Sequence, residues 1–296
     1  MQLLIFILAY PFLWLVSKLP FRLLYMVSDA VRILVYHIFG YRKKVVRTNL
    51  KLAFPEKSAS ELKAIEKEFY KHMCDMFLEM IKTMSISEKE MQKRFSFTNL
   101  DLILQLEKEK SILLMFPHYA SWEWVIALNK HIESKGYAVY KKISNVHFDR
   151  LMRSIREKFG TTLIETKETP ATIISNKRKK IKSMYGFLSD QSPLPSRTNY
   201  WSDFMKIKVP VHTGAETLAK RLDLAVVFLK VEKLKRGYYS ASFEVLAEHP
   251  KELEGFQITD LFLRETEKQI EEDPAYYFWT HRRWKHRNKV PEKFRD

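Results

Sequence analysis

The chain of 296 residues has a single cysteine, Cys74, and only seven glycines. One thiol excludes an intrachain disulfide and any cysteine-rich zinc site. Cys74 falls on an apolar helical stripe, where packing is its ordinary role. The glycine shortage leaves no phosphate-cradling loop, and neither a Gly-x-Gly-x-x-Gly nor a Walker A pattern occurs. Acidic residues are outnumbered, 35 against 51 Lys and Arg, for a formal charge of +16. A surface of that sign favours a polyanion: nucleic acid, anionic lipid headgroups or an acidic carrier protein. No helix-turn-helix, zinc-finger or RNA-recognition pattern accompanies the charge, so nucleic acid is not the expected partner. Long apolar runs are also scarce. Residues 3–16 form the longest, interrupted only by Pro11, and they fall short of the roughly 20 residues that a spanning helix needs.

Aromatic residues are plentiful, with 20 Phe, 14 Tyr and 6 Trp. The N-terminal run has no positive n-region and no small-residue cleavage site, so it does not read as a cleaved signal peptide. It reads as an apolar membrane helix, either spanning or lying in the interface. Residues 21–41 mix Arg22, Asp29 and Arg32 with apolar residues at helical spacing, as an interfacial amphipathic helix does. Lys18, Arg22, Arg32, Arg42, Lys43, Lys44 and Arg47 all follow the apolar run, which puts the rest of the chain on the cytoplasmic side if the helix spans. The expected organisation is a membrane-anchoring unit over residues 1–40 and an α/β unit over residues 41–296.

Ser58 and Glu61 make a capping box for a helix over residues 58–85. Its stripe of Leu62, Ile65, Phe69, Met73, Met76, Phe77, Met80 and Ile81 suits a core, and would also suit the wall of an acyl slot. From residue 111 strands alternate with helices, which predicts an α/β fold with a mixed sheet flanked by helices. Strands are expected at 111–116, 137–143, 161–164, 183–188, 224–231 and 238–247. The last two are joined as a hairpin through Lys235-Arg236-Gly237. Helices are expected at 122–132, 148–159, 216–221 and 259–272. The basic run 176–182 reads equally as a solvated face or a phosphate contact.

The segment 111–124 carries the chemistry. Pro117 ends its strand and puts His118 on the loop beyond the carboxyl edge, where open α/β sheets bind ligands. Glu123 follows in the first turn of the next helix, with Ser121 as its N-cap. Neutral imidazole can take a proton from a hydroxyl near pH 7, and a carboxylate on its other nitrogen fixes the tautomer. His118 and Glu123 therefore predict a general-base pair. They supply two metal ligands at most, so neither a metal nor a cofactor is expected.

Pro117-His118-Tyr119-Ala120-Ser121-Trp122-Glu123 resembles the signature of the bacterial late (secondary) lipid A acyltransferases, a branch of the glycerolipid acyltransferase superfamily. Further blocks follow in the family's order: Arg47-Thr48-Asn49-Leu50 leading to Phe54-Pro55, then Asp190-Gln191, then residues 200–216, and finally Trp279-Thr280-His281-Arg282-Arg283. The resemblance implies a glycerolipid-acyltransferase-like fold and transfer of an acyl group to a hydroxyl of a lipid A precursor, without an acyl-enzyme. It implies an acyl carrier protein or coenzyme A thioester as donor, with the basic surface favouring the carrier protein. The acceptor is then an anionic glycolipid, and the location the cytoplasmic face of the bacterial inner membrane. Arg156, and after it Arg153, are the implied cations near the donor or acceptor. Asp190 and Gln191 would orient a sugar or the catalytic loop. His281, Arg282 and Arg283 would bind phosphate at the interface. The chain departs from the family at Ser189 and Ser192, which flank Asp190-Gln191, and at Met205-Lys206, where relatives carry Phe-Gly. Two other readings fit the bare residues: an acyltransferase for a different lipid acceptor, and a non-catalytic protein that binds membranes through its basic face.

Overall fold

The computed structural model describes residues 2–194, 196 and 198–295. Its centre is β2 (Ile112–Phe116), five apolar residues buried on both faces, the pattern of an interior parallel strand. Around it lie β1 (Phe95–Phe97), β3 (Lys135–Tyr140), β4 (Thr162–Glu165), β5 (Ser183–Leu188), β8 (Ala225–Lys235) and β9 (Tyr238–Ala247), in the order β1-β9-β8-β2-β5-β3-β4. Strands β8, β2, β5, β3 and β4 run parallel. The β8–β9 hairpin reverses direction, and β1 pairs parallel to β9. The mixed sheet flanked by helices is the expected architecture. A separate hairpin of β6 (Trp201–Phe204) and β7 (Ile207–Pro210) was not legible in the sequence. Its turn holds Met205 and Lys206, both at positive φ. Glycine adopts that conformation without a steric penalty, whereas Met and Lys carry it here at a steric cost.

The connections are α5 (Glu88–Arg94), α6 (Leu100–Glu109), a 3₁₀ segment (Trp122–Lys130), α7 (Val146–Arg156), α8 (Thr169–Arg178), α9 (Gly214–Leu222) and α10 (Gln257–Glu272). The expected α-helix after His118 is thus a 3₁₀ segment, and Ser121 makes no side-chain capping bond there. Ahead of the sheet, α4 (Ala59–Lys82) starts at the capping box, with both Ser58–Glu61 bonds present.

Helix α1 (Gln2–Lys18) continues through Pro11. Its 17 residues reach about 25 Å at 1.5 Å per residue, against about 30 Å of bilayer hydrocarbon. Among the described residues no single helix is long and apolar enough to cross a membrane. One pair, Phe21–Ile38 with Lys43–Ala53, passes that test together but is bent by 87°. The expected membrane helix is therefore present only as a short apolar helix. Phe6 packs on His147 and Phe148 of α7, while Leu3, Leu4, Ile7, Leu8, Phe12 and Leu15 are exposed. Helix α2 (Phe21–Arg32) runs into a π-helix (Ile33–Ile38) that leaves Ile33, Leu34 and Ile38 exposed. Polar locks hold α2 to α4: Ser28 Oγ donates to Asp75 (2.6 Å) and Tyr25 Oη to Glu79 (2.8 Å). Helix α3 (Lys43–Ala53) follows.

Candidate active site

Strands β2 and β5 pair in register, with Ile112 opposite Met184 and Phe116 opposite Leu188. Two residues past each strand lie His118 and Asp190, so a parallel register carried into the loops sets them side by side. His118 Nδ1 is 2.7 Å from Asp190 Oδ1, and the His118 backbone N–H donates to the same oxygen at 3.1 Å. Asp190 is 1 % exposed. Burial pushes its carboxyl up, but the His118 ring and the two hydrogen bonds outweigh that and hold it below the usual range. The carboxylate therefore accepts a hydrogen bond from Nδ1–H, which leaves the lone pair on Nε2. Gln191 Nε2 lies 3.3 Å from that nitrogen, placed to donate to it.

Glu123, expected to pair with His118, bonds elsewhere. The Glu123 carboxylate forks onto Arg156, with Nε to Oε2 at 2.9 Å and Nη2 to Oε1 at 2.6 Å. Two features turn it away from His118. Ala120, with a left-handed φ of 47°, twists the loop between them, and the tighter 3₁₀ winding carries Glu123 toward the end of α7. Burial lowers the guanidinium's proton affinity, but Glu123 more than restores it, so the pair stays ionised. Glu123, Arg156, His118 and Gln191 line one cavity. Arg153 is not part of it. Its Nη1 donates to Tyr140 Oη (2.8 Å) and its Nη2 pairs with Glu157 (3.1 Å).

The cavity has a volume of about 650 Å³ and runs from His118 under the 3₁₀ segment. Its floor is the in-register row Leu114, Gly186 and Ala138, with Phe116 and Leu188 nearer His118, and its roof is Val125 and Ile126. Gly186 leaves the floor open, since a Cβ there would meet Phe116 Cε1 at 3.4 Å. The far end is polar: Asn129 covers Gly136 so closely that no Cβ fits, and it donates to Thr161 Oγ1 at 2.5 Å. His212 also lines the cavity. Burial, with Arg283 adding to it, lowers its proton affinity.

The C-terminal block packs on the loop that carries His118. Phe278 N–H donates to the His118 carbonyl and Ala120 N–H to the Tyr276 carbonyl, both at 3.0 Å. The Phe278 and His118 rings stack at 6.1 Å. His281 Nε2 accepts the Ser192 N–H at 3.1 Å, and burial first of all pushes that imidazole down to about 4. Arg283, expected to bind phosphate, is 1 % exposed. Its Nη1 donates to Ser192 Oγ (3.1 Å) and to the Pro210 carbonyl (3.0 Å), while Ser192 Oγ donates to the Arg283 carbonyl at 2.5 Å. Two turns of tight backbone and the aromatic packing of Trp279 and Trp284 draw Arg283 inward. Arg282 stays exposed. Asn49, from the second resembling block, donates to the Trp279 (2.8 Å) and His281 (2.7 Å) carbonyls. Three distant blocks thus meet to fix Asp190 and Gln191, an arrangement that no local sequence pattern announces. Among the described residues no group of three His, Cys, Asp or Glu side chains is arranged to hold a metal.

A carboxylate-oriented imidazole beside a largely apolar cavity is an arrangement able to take a proton from a hydroxyl next to an apolar ligand. The family described as bacterial lipid A biosynthesis acyltransferase matches residues 1–286. The chain is 22 % identical over 285 residues to the lipid A biosynthesis lauroyltransferase of Escherichia coli (strain K12), covering 95 % of this chain and 92 % of that protein. It is 24 % identical over 221 residues to a lipid A biosynthesis acyltransferase of Haemophilus influenzae (strain ATCC 51907 / DSM 11121 / KW20 / Rd), covering 73 % and 67 %. The chain belongs to the bacterial lipid A biosynthesis acyltransferase family, and it is an acyltransferase.

Proposed function

We propose that the protein transfers a fatty acyl group from a carrier thioester to a hydroxyl of a lipid A precursor, with His118 as general base. The observation that carries this reading is the 2.7 Å contact between His118 Nδ1 and buried Asp190 at the mouth of the apolar cavity. The acceptor hydroxyl gives its proton to His118 Nε2 as its oxygen attacks the thioester carbonyl. The C–O bond forms, the C–S bond breaks, and the imidazolium returns the proton to the leaving thiolate. No residue of the chain is acylated. Asp190 holds the reactive tautomer and stabilises the imidazolium. When the acceptor hydroxyl displaces Gln191 from Nε2, the Gln191 amide is free to donate to the developing oxyanion, together with backbone N–H groups at the start of the 3₁₀ segment. Arg156, held by Glu123, supports an anionic group of donor or acceptor at the mouth, and the acyl chain lies on the Leu114–Gly186–Ala138 floor.

Acyl carrier protein is the proposed donor, because the chain carries +16 and an acidic carrier complements that charge. The exposed apolar residues of α1 and the π-helix support a membrane-bound enzyme, working at the cytoplasmic face of the inner membrane. The test is transfer of labelled acyl chain from acyl carrier protein to a lipid A precursor in detergent. His118→Ala should abolish transfer while leaving the circular dichroism unchanged. Transfer within tenfold of wild type by that variant removes His118 as the base.

A further inference from the structure

We infer that a basic groove between α2 and α4, separate from the catalytic cavity, binds the phosphate of an anionic lipid headgroup. Arg32, Lys67, Lys71 and Arg236 line it, with Asp29 and Glu68. None of these residues lines the cavity at His118. The acids are already engaged. Arg236 spans Asp75 (2.7 and 2.8 Å) and Asp29 (2.9 and 3.1 Å), so two carboxylates absorb its charge. Glu68 lies 3.5 Å from Lys71.

Two cations are left over. Neither Arg32 nor Lys67 has a hydrogen-bond or ion-pair partner among the described residues, and Arg32 Nε is buried with no acceptor. A guanidinium fork with a vacant donor beside a mobile ammonium is the chemistry that grips phosphate oxygens. The position selects the source of that phosphate. Arg32 ends α2, and the next residues, Ile33 and Leu34, begin the exposed apolar π-helix face that continues through Ile38 and Phe39. Leu23 and Met26 extend this face along α2. Apolar side chains at acyl depth with unpaired cations one turn away match the layering of an anionic leaflet.

The groove makes no contact with the acyl-transfer chemistry, so a binding measurement tests it independently of the reading above. Wild type, Arg32→Gln/Lys67→Gln and a charge-matched control, Arg178→Gln/Lys179→Gln, are floated with vesicles of phosphatidylcholine alone or with 30 % phosphatidylglycerol (about a third of the lipid, enough for a strongly anionic surface). The groove variant should partition roughly ten- to thirtyfold more weakly onto the anionic vesicles. It should match wild type on the neutral vesicles and retain the wild-type melting temperature. The control pair should lose threefold or less. Equal losses in both variants mean diffuse charge and overturn the site. If the groove variant keeps its anionic preference while wild type alone is stabilised thermally by inorganic phosphate, the groove is a free-phosphate site and the lipid assignment falls.

Discussion

Replacing Asp190 by Asn separates the two carboxylates near His118. The side chain keeps its size, and its amide oxygen can still accept from the His118 backbone N–H, now 3.1 Å away. The charge beside Nδ1 at 2.7 Å is lost, and an amide that turns its NH₂ to the ring forces the proton onto Nε2, where it blocks base action. The reaction should slow by about 10²- to 10⁴-fold in kcat, or about 3–5 kcal/mol of barrier. Glu123→Gln should behave differently. It removes the charge from two contacts to Arg156 at 2.6 and 2.9 Å and should lower stability by about 1.5–3 kcal/mol, with a smaller loss of kcat than Asp190→Asn. Steady-state rates, with melting temperatures for both variants, decide the matter. Asp190→Asn within threefold of wild type, or a kcat loss in Glu123→Gln as large as that in Asp190→Asn, refutes the assignment of Asp190 as the orienting group.

Two further outcomes follow from the surrounding geometry. His281 accepts from Ser192 only while neutral, and its proton affinity is depressed from an ordinary 6.5 to about 4. Its contribution to stability is therefore present above pH 6.5 and lost as pH falls toward 4, by up to about 3 kcal/mol. Denaturant melts of wild type and His281→Gln should differ near pH 7 and converge near pH 4, and a constant difference contradicts the clamp. In the cavity, Gly186→Val projects methyl groups beside Phe116 and over the bare floor. It should cut kcat/KM for the longest accepted acyl donor by about tenfold or more while sparing shorter ones, and uniform loss across chain lengths places the acyl group elsewhere.

Much of the scaffold was legible because local physics wrote it. The Ser58–Glu61 capping box, the apolar run at 112–116 and the proline that ends it each carry their own signal. The partner of His118 was not legible, because its position depends on which strands are neighbours. Once β2 and β5 pair, Phe116 meets Leu188 and the same 72-residue offset delivers Asp190 to His118. The sequence shows both strand ends but not their adjacency, so the nearer acid, Glu123, attracted the assignment. The burial of Arg283 was not legible for a similar reason. Composition marks an arginine as a phosphate ligand, whereas packing against Trp284 and Phe204 and the bonds to Ser192 and Pro210 decide that it is interior. Asn49 carried no recognisable chemistry until its two carbonyl partners came into place.

The account's central claim is best tested by mass spectrometry of lipid A from cells lacking the gene, complemented with wild type or His118→Ala at equal protein levels. The account predicts lipid A short of one acyl chain in the deletion, restored by wild type and not by His118→Ala. Restoration by His118→Ala contradicts the mechanism, and unchanged lipid A in the deletion contradicts the acceptor.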